Sequence, residues 1–179
     1  MASLSKEQIE GRKAVQVAFI VDNLEEAALN WARTVGAGPF FLARELPVSN
    51  VRRPNGEHAE FEQGIALGQW GSVMVELIEV RKAAPAIVHE VMTTPGFNHI
   101  AYLAADPEAE AARLVESGAP VLLTLEFGGV PVHFHDARHT TGFVIEHYPY
   151  VDAIEQTYGL VADAAEGWDG SDPLRVLGG

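Results

Sequence analysis

Two stretches of this chain superimpose when one is slid by 83 positions. Val15-Gln16-Val17-Ala18-Phe19 then falls on Asn98-His99-Ile100-Ala101-Tyr102. An amphipathic helix pattern follows each copy. Each copy later closes with an apolar strand carrying one carboxylate, Met74-Val75-Glu76-Leu77 and Val144-Ile145-Glu146-His147. A chain built from two diverged copies of one unit must pack them against each other, so an axis relating the copies constrains the fold more than any local propensity does.

The local reading fills in the unit. Residues 15–21 alternate and are β-rich, with Val15, Val17, Phe19 and Val21 suited to a covering helix and Gln16, Ala18 and Ile20 on the other face. Asn23 is placed to cap a helix, with Glu26 three positions on. Leu24, Ala27, Ala28, Trp31 and Val35 then form its apolar stripe, and Gly36 and Gly38 stop it. Strands are expected over 40–46, within 59–67 and over 72–80, separated by a polar loop with the turn Pro54-Asn55-Gly56 and by Gly68–Gly71. A short helix over 85–92 leads to the second copy. That copy reads as a strand over 97–104 and a helix capped by Asp106-Pro107 with Ala111, Leu114 and Val115 buried. Strands over 121–127, 130–136 and 143–150 complete it, and a helical stretch runs to about Ala165. The loop around Trp168 reads either as ordered by the indole or as a frayed end.

The expected fold is therefore α+β: two βαβββ modules in one chain, pairing into a curved, partly open eight-stranded sheet around a central cavity. The first module spans 14–80, a connector 81–96, the second module 97–150, and a C-terminal helix and tail 151–179. From Gln16 to Glu76 is 60 residues and from His99 to Glu146 is 47, so the first copy carries the longer insertion.

Composition narrows the function. A chain of 179 residues that is 47% hydrophobic can build a substantial core. No apolar run reaches the length of a membrane span, and residues 1–13 read as a polar leader or short helix, so a cytoplasmic location is expected. Cysteine is absent, which rules out thiolate nucleophiles and Cys-ligated zinc. A net charge of -13 repels phosphate backbones and anionic membranes, so neither nucleic acid nor membrane is an expected partner. An anionic substrate would need a local basic patch, for which Arg44, Arg52, Arg53, Arg81 and Lys82 are the candidates beside ordinary surface charge. A homodimer is compatible with the sequence.

Polarity out of place locates the chemistry. Gln16, Glu76, His99 and Glu146 each interrupt an apolar strand, the first and the last strand of each copy. Buried carboxylates are costly unless paired, protonated or metal-bound. Two in one cavity repel, and a divalent ion resolves that conflict. One imidazole, two carboxylates and one amide oxygen form a hard-to-borderline set that accepts zinc, manganese, cobalt or nickel and leaves room for two substrate oxygens. The small Ala18 and Ala101 lie on the same faces as Gln16 and His99 and leave space there. Taken singly, His99 could be a hydrogen-bonded core histidine and Gln16 could satisfy a backbone group; the symmetry of the set is what speaks for ligation. His133 and His135 alternate on one strand, with His139 and His147 near. They read as cavity lining or exposed side chains, with a second histidine metal site as the alternative. If Glu146 points inward, His147 points outward. His58 and His89 receive no role.

These stretches, with Asp22-Asn23-Leu24-Glu25-Glu26-Ala27, Val75-Glu76-Leu77-Ile78-Glu79 and Thr141-Gly142-Phe143-Val144-Ile145-Glu146, make residues 14–150 resemble the vicinal oxygen chelate superfamily of glyoxalase I, methylmalonyl-CoA epimerase and extradiol dioxygenases. The resemblance implies paired βαβββ modules and a metal held at the positions of Gln16, Glu76, His99 and Glu146. The order Gln, Glu, His, Glu is similar to that of some glyoxalase I enzymes, whereas many epimerase-like members begin with His. The dioxygenase set, two His and one Glu in a single module, is not supplied by either module. The implied activity is a metal-dependent isomerase, epimerase or lyase acting by proton transfer next to a carbonyl of a small molecule with adjacent oxygens. Glu146 would be the first candidate base and Glu76 the second. The alternative is a metal-free small-molecule binding or resistance protein on the same fold.

Overall fold

The offset between the two copies reappears as a rotation axis. In the computed structural model, which describes residues 11–177, β1 (Gln16–Ile20) and β6 (Gly96–Leu103) run antiparallel at the middle of the sheet. Gln16 faces Ala101, Val17 faces Ile100 and Ala18 faces His99. A two-fold axis through the Val17–Ile100 pair exchanges Gln16 with His99 and Ala18 with Ala101, which is the correspondence read from the sequence. The closing strands obey it too. β5 (Val73–Ala84) lies parallel to β1 with Glu76 beside Ala18, and β9 (Val144–Tyr148) lies parallel to β6 with Glu146 beside Ala101.

Outside this centre are β2 (Phe40–Ala43), β4 (Glu60–Trp70), β7 (Val121–Phe127) and β8 (Val130–Asp136). Two further strands, β3 (Ser49–Arg52) and β10 (Leu174–Val176), occupy the edges. The order is β10-β2-β4-β5-β1-β6-β9-β8-β7-β3. The sheet is open and, among the described residues, has ten strands where eight are expected from the sequence. Both additions lie where alternation is weak. β3 sits in the polar loop before Pro54 and pairs with β7, so a strand from the first copy completes the edge of the second. That exchange is reachable only because the sheet curls until its two wings approach, as the contact of Phe61 with Phe134 shows (ring centroids 6.4 Å). β10 pairs with β2, and Trp168 donates its indole N–H to the Ser171 carbonyl at 2.6 Å just before it, so the ordered reading of that loop holds.

α1 (Leu24–Val35) starts as the sequence indicates, with Asn23 accepting the Glu26 N–H at 2.8 Å, and ends at Gly36 in the left-handed region (φ 71). It covers the outer face of the first wing, where Leu24 and Ala28 pack with Val75 and Leu77. Val35, at the last position of the helix, is exposed. Val15 packs with the inner-face core and not with this helix. α2 (Ala86–Thr93) spans the connector. α3 (Pro107–Glu116) covers the second wing with Ala111 and Leu114, while Val115 is exposed. Its third inward position is Glu110, a carboxylate that accepts the Tyr102 hydroxyl at 2.6 Å and the guanidinium groups of Arg113 and Arg12. α4 (Asp152–Ala165) crosses the concave side against β4 and β5. Among the described residues no helix is long and apolar enough to cross a membrane. Of the expected leader or short helix over 1–13, residues 1–10 lie outside the described range, and 11–13 are exposed and not helical.

Candidate metal centre

The inner face of the four central strands carries the site. Parallel pairing of β5 with β1 and of β9 with β6 sets Glu76 and Glu146 on either side of the axis, and the antiparallel β1–β6 pair sets Gln16 and His99 between them. All four side chains are buried. His99 Nε2 lies 3.2 Å from Glu146 Oε2 and 3.6 Å from Glu76 Oε2. Neither His99 Nε2 nor Glu146 Oε2 has a hydrogen-bond partner, so their 3.2 Å approach is a close contact misaligned for a hydrogen bond, and an ion pair only when His99 is protonated. Buried polar atoms rarely stay unpartnered in this way. Two such atoms face each other with a second carboxylate beside them.

The tautomer of His99 is set from behind. Asn98 is buried and donates its amide N–H to the Val91 carbonyl at 2.8 Å, which turns its Oδ1 toward His99 Nδ1 at 3.0 Å. An amide oxygen only accepts, so Nδ1 carries the proton and Nε2 presents its lone pair to the carboxylates. Without a cation that lone pair is repelled, and protonation answers the conflict. Burial opposes a charge on His99, but Glu146 and Glu76 outweigh it and push its pKa up to about 9. Burial, with the neighbouring Glu146 charge, raises Glu76. The donor set Glu76, His99 and Glu146, with ligand atoms within 4.8 Å of one another, fits a divalent ion.

Gln16 takes a different posture. Its amide nitrogen donates to Glu76 Oε2 at 2.6 Å, and its oxygen accepts from the hydroxyls of Tyr148 at 3.1 Å and Tyr158 at 2.9 Å. The two hydroxyls are 2.6 Å apart. Burial raises both phenol pKa values well above the usual range, so both stay neutral donors. For Gln16 to ligate through oxygen, the amide must turn over and exchange its partners. Neither tyrosine was singled out by the sequence. Tyr148 shares the phase of Glu146 two residues on, a signal that was present. Tyr158 arrives on α4, and no periodicity places that helix over the cavity.

The cavity encloses about 100 Å³ and is walled by Ile65, Leu67, Met74, Ile78, Val132 and Phe134, joined by Ile154 and Thr157 of α4. None of the described lining residues is a lysine or arginine. The five candidate cations lie elsewhere. Arg44 pairs with Glu25, Lys82 with Glu60, and Arg81 with the Arg44 carbonyl and the edge of Glu79. Arg52 and Arg53 line a separate surface cleft.

Three of the remaining histidines depart from expectation. His133, His135 and His147 do not line the central cavity and are all buried, with only the His133 ring edging a surface cleft. They are buried together on the outer face of the second wing beneath α3, so His147 does point away from the cavity but into protein. Burial lowers the pKa of all three, and burial together with the other two imidazoles pushes His147 down to about 3. His139, His58 and His89 are exposed.

Residues 15–140 match the family described as the Glyoxalase/Bleomycin resistance protein/Dioxygenase superfamily. No curated protein sequence matches the chain. Among solved structures, a hypothetical protein of Bacillus halodurans C-125 is similar at 17% identity and a TM-score of 0.53, over 78% of this chain and 95% of that one. A methylmalonyl-CoA epimerase of Mycobacterium tuberculosis is similar at 14% identity and a TM-score of 0.52, over 84% of this chain and 95% of that one. At such identities the likeness speaks for the fold.

Proposed function

Because the chain belongs to the Glyoxalase/Bleomycin resistance protein/Dioxygenase superfamily, we propose that its central site makes it a divalent-metal-dependent isomerase, epimerase or lyase that moves a proton next to a carbonyl. One observation carries the reading: the buried, unpartnered Nε2 of His99 and Oε2 of Glu146 face each other beside Glu76. Glu76, His99 and Glu146 would hold the ion, joined by Gln16 once its amide turns over. When bound, the ion would supply Lewis acidity to two adjacent substrate oxygens and so make the neighbouring C–H acidic.

The chain's own groups then divide the work. Glu76 Oε2 is tied to the Gln16 amide, whereas Glu146 Oε2 has no hydrogen bond to give up, so Glu146 is the freer base. Glu76, with its raised pKa, is suited to carry and return a proton from the other side. Asn98 keeps the His99 lone pair aimed at the centre, and Tyr148 with Tyr158 holds the Gln16 carboxamide. The apolar walls exclude water. With about 100 Å³ and no described cation in the lining, the part of the substrate that enters is small and, apart from its chelating oxygens, apolar.

The test is elemental analysis of protein purified without chelator, followed by proton–deuterium exchange at the carbon next to the carbonyl of small 2-keto and 1,3-dicarbonyl compounds. Bound metal, with exchange lost in Glu146→Gln, is the expected result. Protein that neither retains nor takes up a divalent metal overturns the enzyme reading and leaves a binding protein with a protonated His99.

A further inference from the structure

The buried histidines of the second wing form a group that the central site does not use. His133 and His147 are direct cross-strand partners on β8 and β9, and His135 follows two positions along β8 on the same face. Their rings stack, His133 on His147 at 4.9 Å and His135 on His147 at 5.2 Å between centroids. One nitrogen from each lies within 4.8 Å of the others. The Nε2 atoms of His135 and His147 are 3.2 Å apart. Two nitrogens bound tetrahedrally to one zinc ion at ~2.0–2.1 Å are ~3.3 Å apart, so this pair already has ligand spacing.

The hydrogen bonding asks for a cation. His135 Nδ1 lies 2.9 Å from the Ala119 carbonyl, which can only accept, so Nδ1 carries the proton and Nε2 is a bare lone pair. His147 then has two unsatisfactory choices. If its Nε2–H donates to His135, its own Nδ1 is a buried lone pair without a partner. If Nδ1 is protonated, that N–H has no acceptor and two lone pairs meet at 3.2 Å. An ion between the Nε2 atoms removes the lone-pair clash of the second choice. His133 is the way in. Its ring borders a surface cleft of about 560 Å³, and at the mouth of that cleft Glu108, in the first turn of α3, brings Oε1 to 3.7 Å from His133 Nε2. Three imidazoles and a carboxylate suit a late first-row divalent ion.

We propose that His133, His135 and His147, with Glu108 as fourth ligand, form a second metal site for zinc or a similar ion, on the face of the sheet opposite the central cavity. Binding requires His133 and His147 to turn about their ring bonds, because their near-parallel planes (18°) do not yet aim at a common point. Occupancy ties α3 to β8 and β9. It also braces the strand on which Glu146 immediately precedes His147, so the two sites flank one short segment.

The whole chain, stripped with chelator and dialysed, is titrated with zinc by calorimetry, and melting is followed alongside. The double variant His99→Ala/Glu146→Gln removes the central site. It should still bind one zinc per chain and melt at a higher temperature with zinc than without. Adding His133→Ala should abolish both effects, and adding the exposed Glu108→Ala should weaken binding tenfold or more without touching the core. Should His133→Ala fail to fold, Glu108→Ala and the paramagnetically shifted imidazole N–H signals of the cobalt-loaded double variant decide. A folded double variant that binds no zinc overturns the proposal, as does one whose binding is indifferent to Glu108→Ala and lacks those signals. A parent chain that binds a single zinc, retained in the double variant and lost on His133→Ala, supports this site while sinking the central one.

Discussion

Metal binding at the central site should be paid for in protons, and the amount follows from His99. Its imidazole is fully buried beside two carboxylates, and its pKa is pushed up to about 9 in the metal-free chain. At pH 7 only about one molecule in a hundred then offers a neutral Nε2, which costs a metal about 3 kcal/mol of apparent affinity at about 1.4 kcal/mol per pH unit. The same shift has a stability consequence. A group whose folded pKa lies above its ordinary value of 6.5 stabilises the fold fully below pH 6.5, and that contribution disappears as pH rises through 9. For His99 this is about 3 kcal/mol. Glu76, also raised, contributes a loss in the same direction that begins near its ordinary 4.5. The metal-free chain should therefore weaken steadily between pH 6.5 and 9, whereas zinc should flatten that slope. Zinc binding at pH 7.5 should release about one more proton in the parent than in His99→Ala, measured by calorimetry in buffers of different ionisation heat. Equal proton release by the two proteins would refute the reasoning, and so would a directly titrated His99 pKa below 6.5 in the metal-free chain.

Four further outcomes follow. His99→Ala should lower affinity at the central site more than Gln16→Ala, since it removes the one nitrogen donor, and Gln16→His should tighten late transition metals; calorimetric titration of the three variants checks the order, and parent-like binding by both alanine variants would show the ligand set to be wrong. Tyr158→Phe should leave the fold intact but loosen the Gln16 carboxamide, which keeps only Tyr148 on its oxygen, lowering turnover about tenfold with little change in thermal stability, read from kcat and melting together. Glu110 is held near pKa 2 because the bonds from Arg113, Tyr102 and Arg12 outweigh its burial. Its stabilisation of about 2–3 kcal/mol is present above pH 4.5 and lost as pH falls toward 2, so Glu110→Gln should flatten the acid limb of a urea-melt series across that window. Gly64→Ala would set a methyl 2.5 Å from the backbone oxygen of Arg44, costing about 1–3 kcal/mol in denaturant unfolding as β2 and β4 are forced apart.

What the sequence determined by itself is whatever repeats or alternates. The offset between Gln16 and His99 located the axis, because two copies of one unit can share a sheet only through a symmetric pairing, and the register at Val17 and Ile100 follows from it. Period-two alternation put Glu76 and Glu146 on the same inner face as Met74, Ile78 and Tyr148. The Asn23 and Asp106 caps are local hydrogen bonds, so a few residues suffice to write them. What the tertiary structure decided is which surface meets which. Alternation states that His133, His135 and His147 share a face but not that α3 covers that face and buries all three. β3 and β10 have too little pattern to announce themselves, since edge strands form on what the curled sheet leaves unpaired. Tyr158 enters the site because α4 folds back across the concave side, a contact between residues 142 positions apart that no local signal encodes. The posture of Gln16 belongs to the same class: sequence supplies the amide, and the hydroxyls and carboxylate around it choose which end faces the centre.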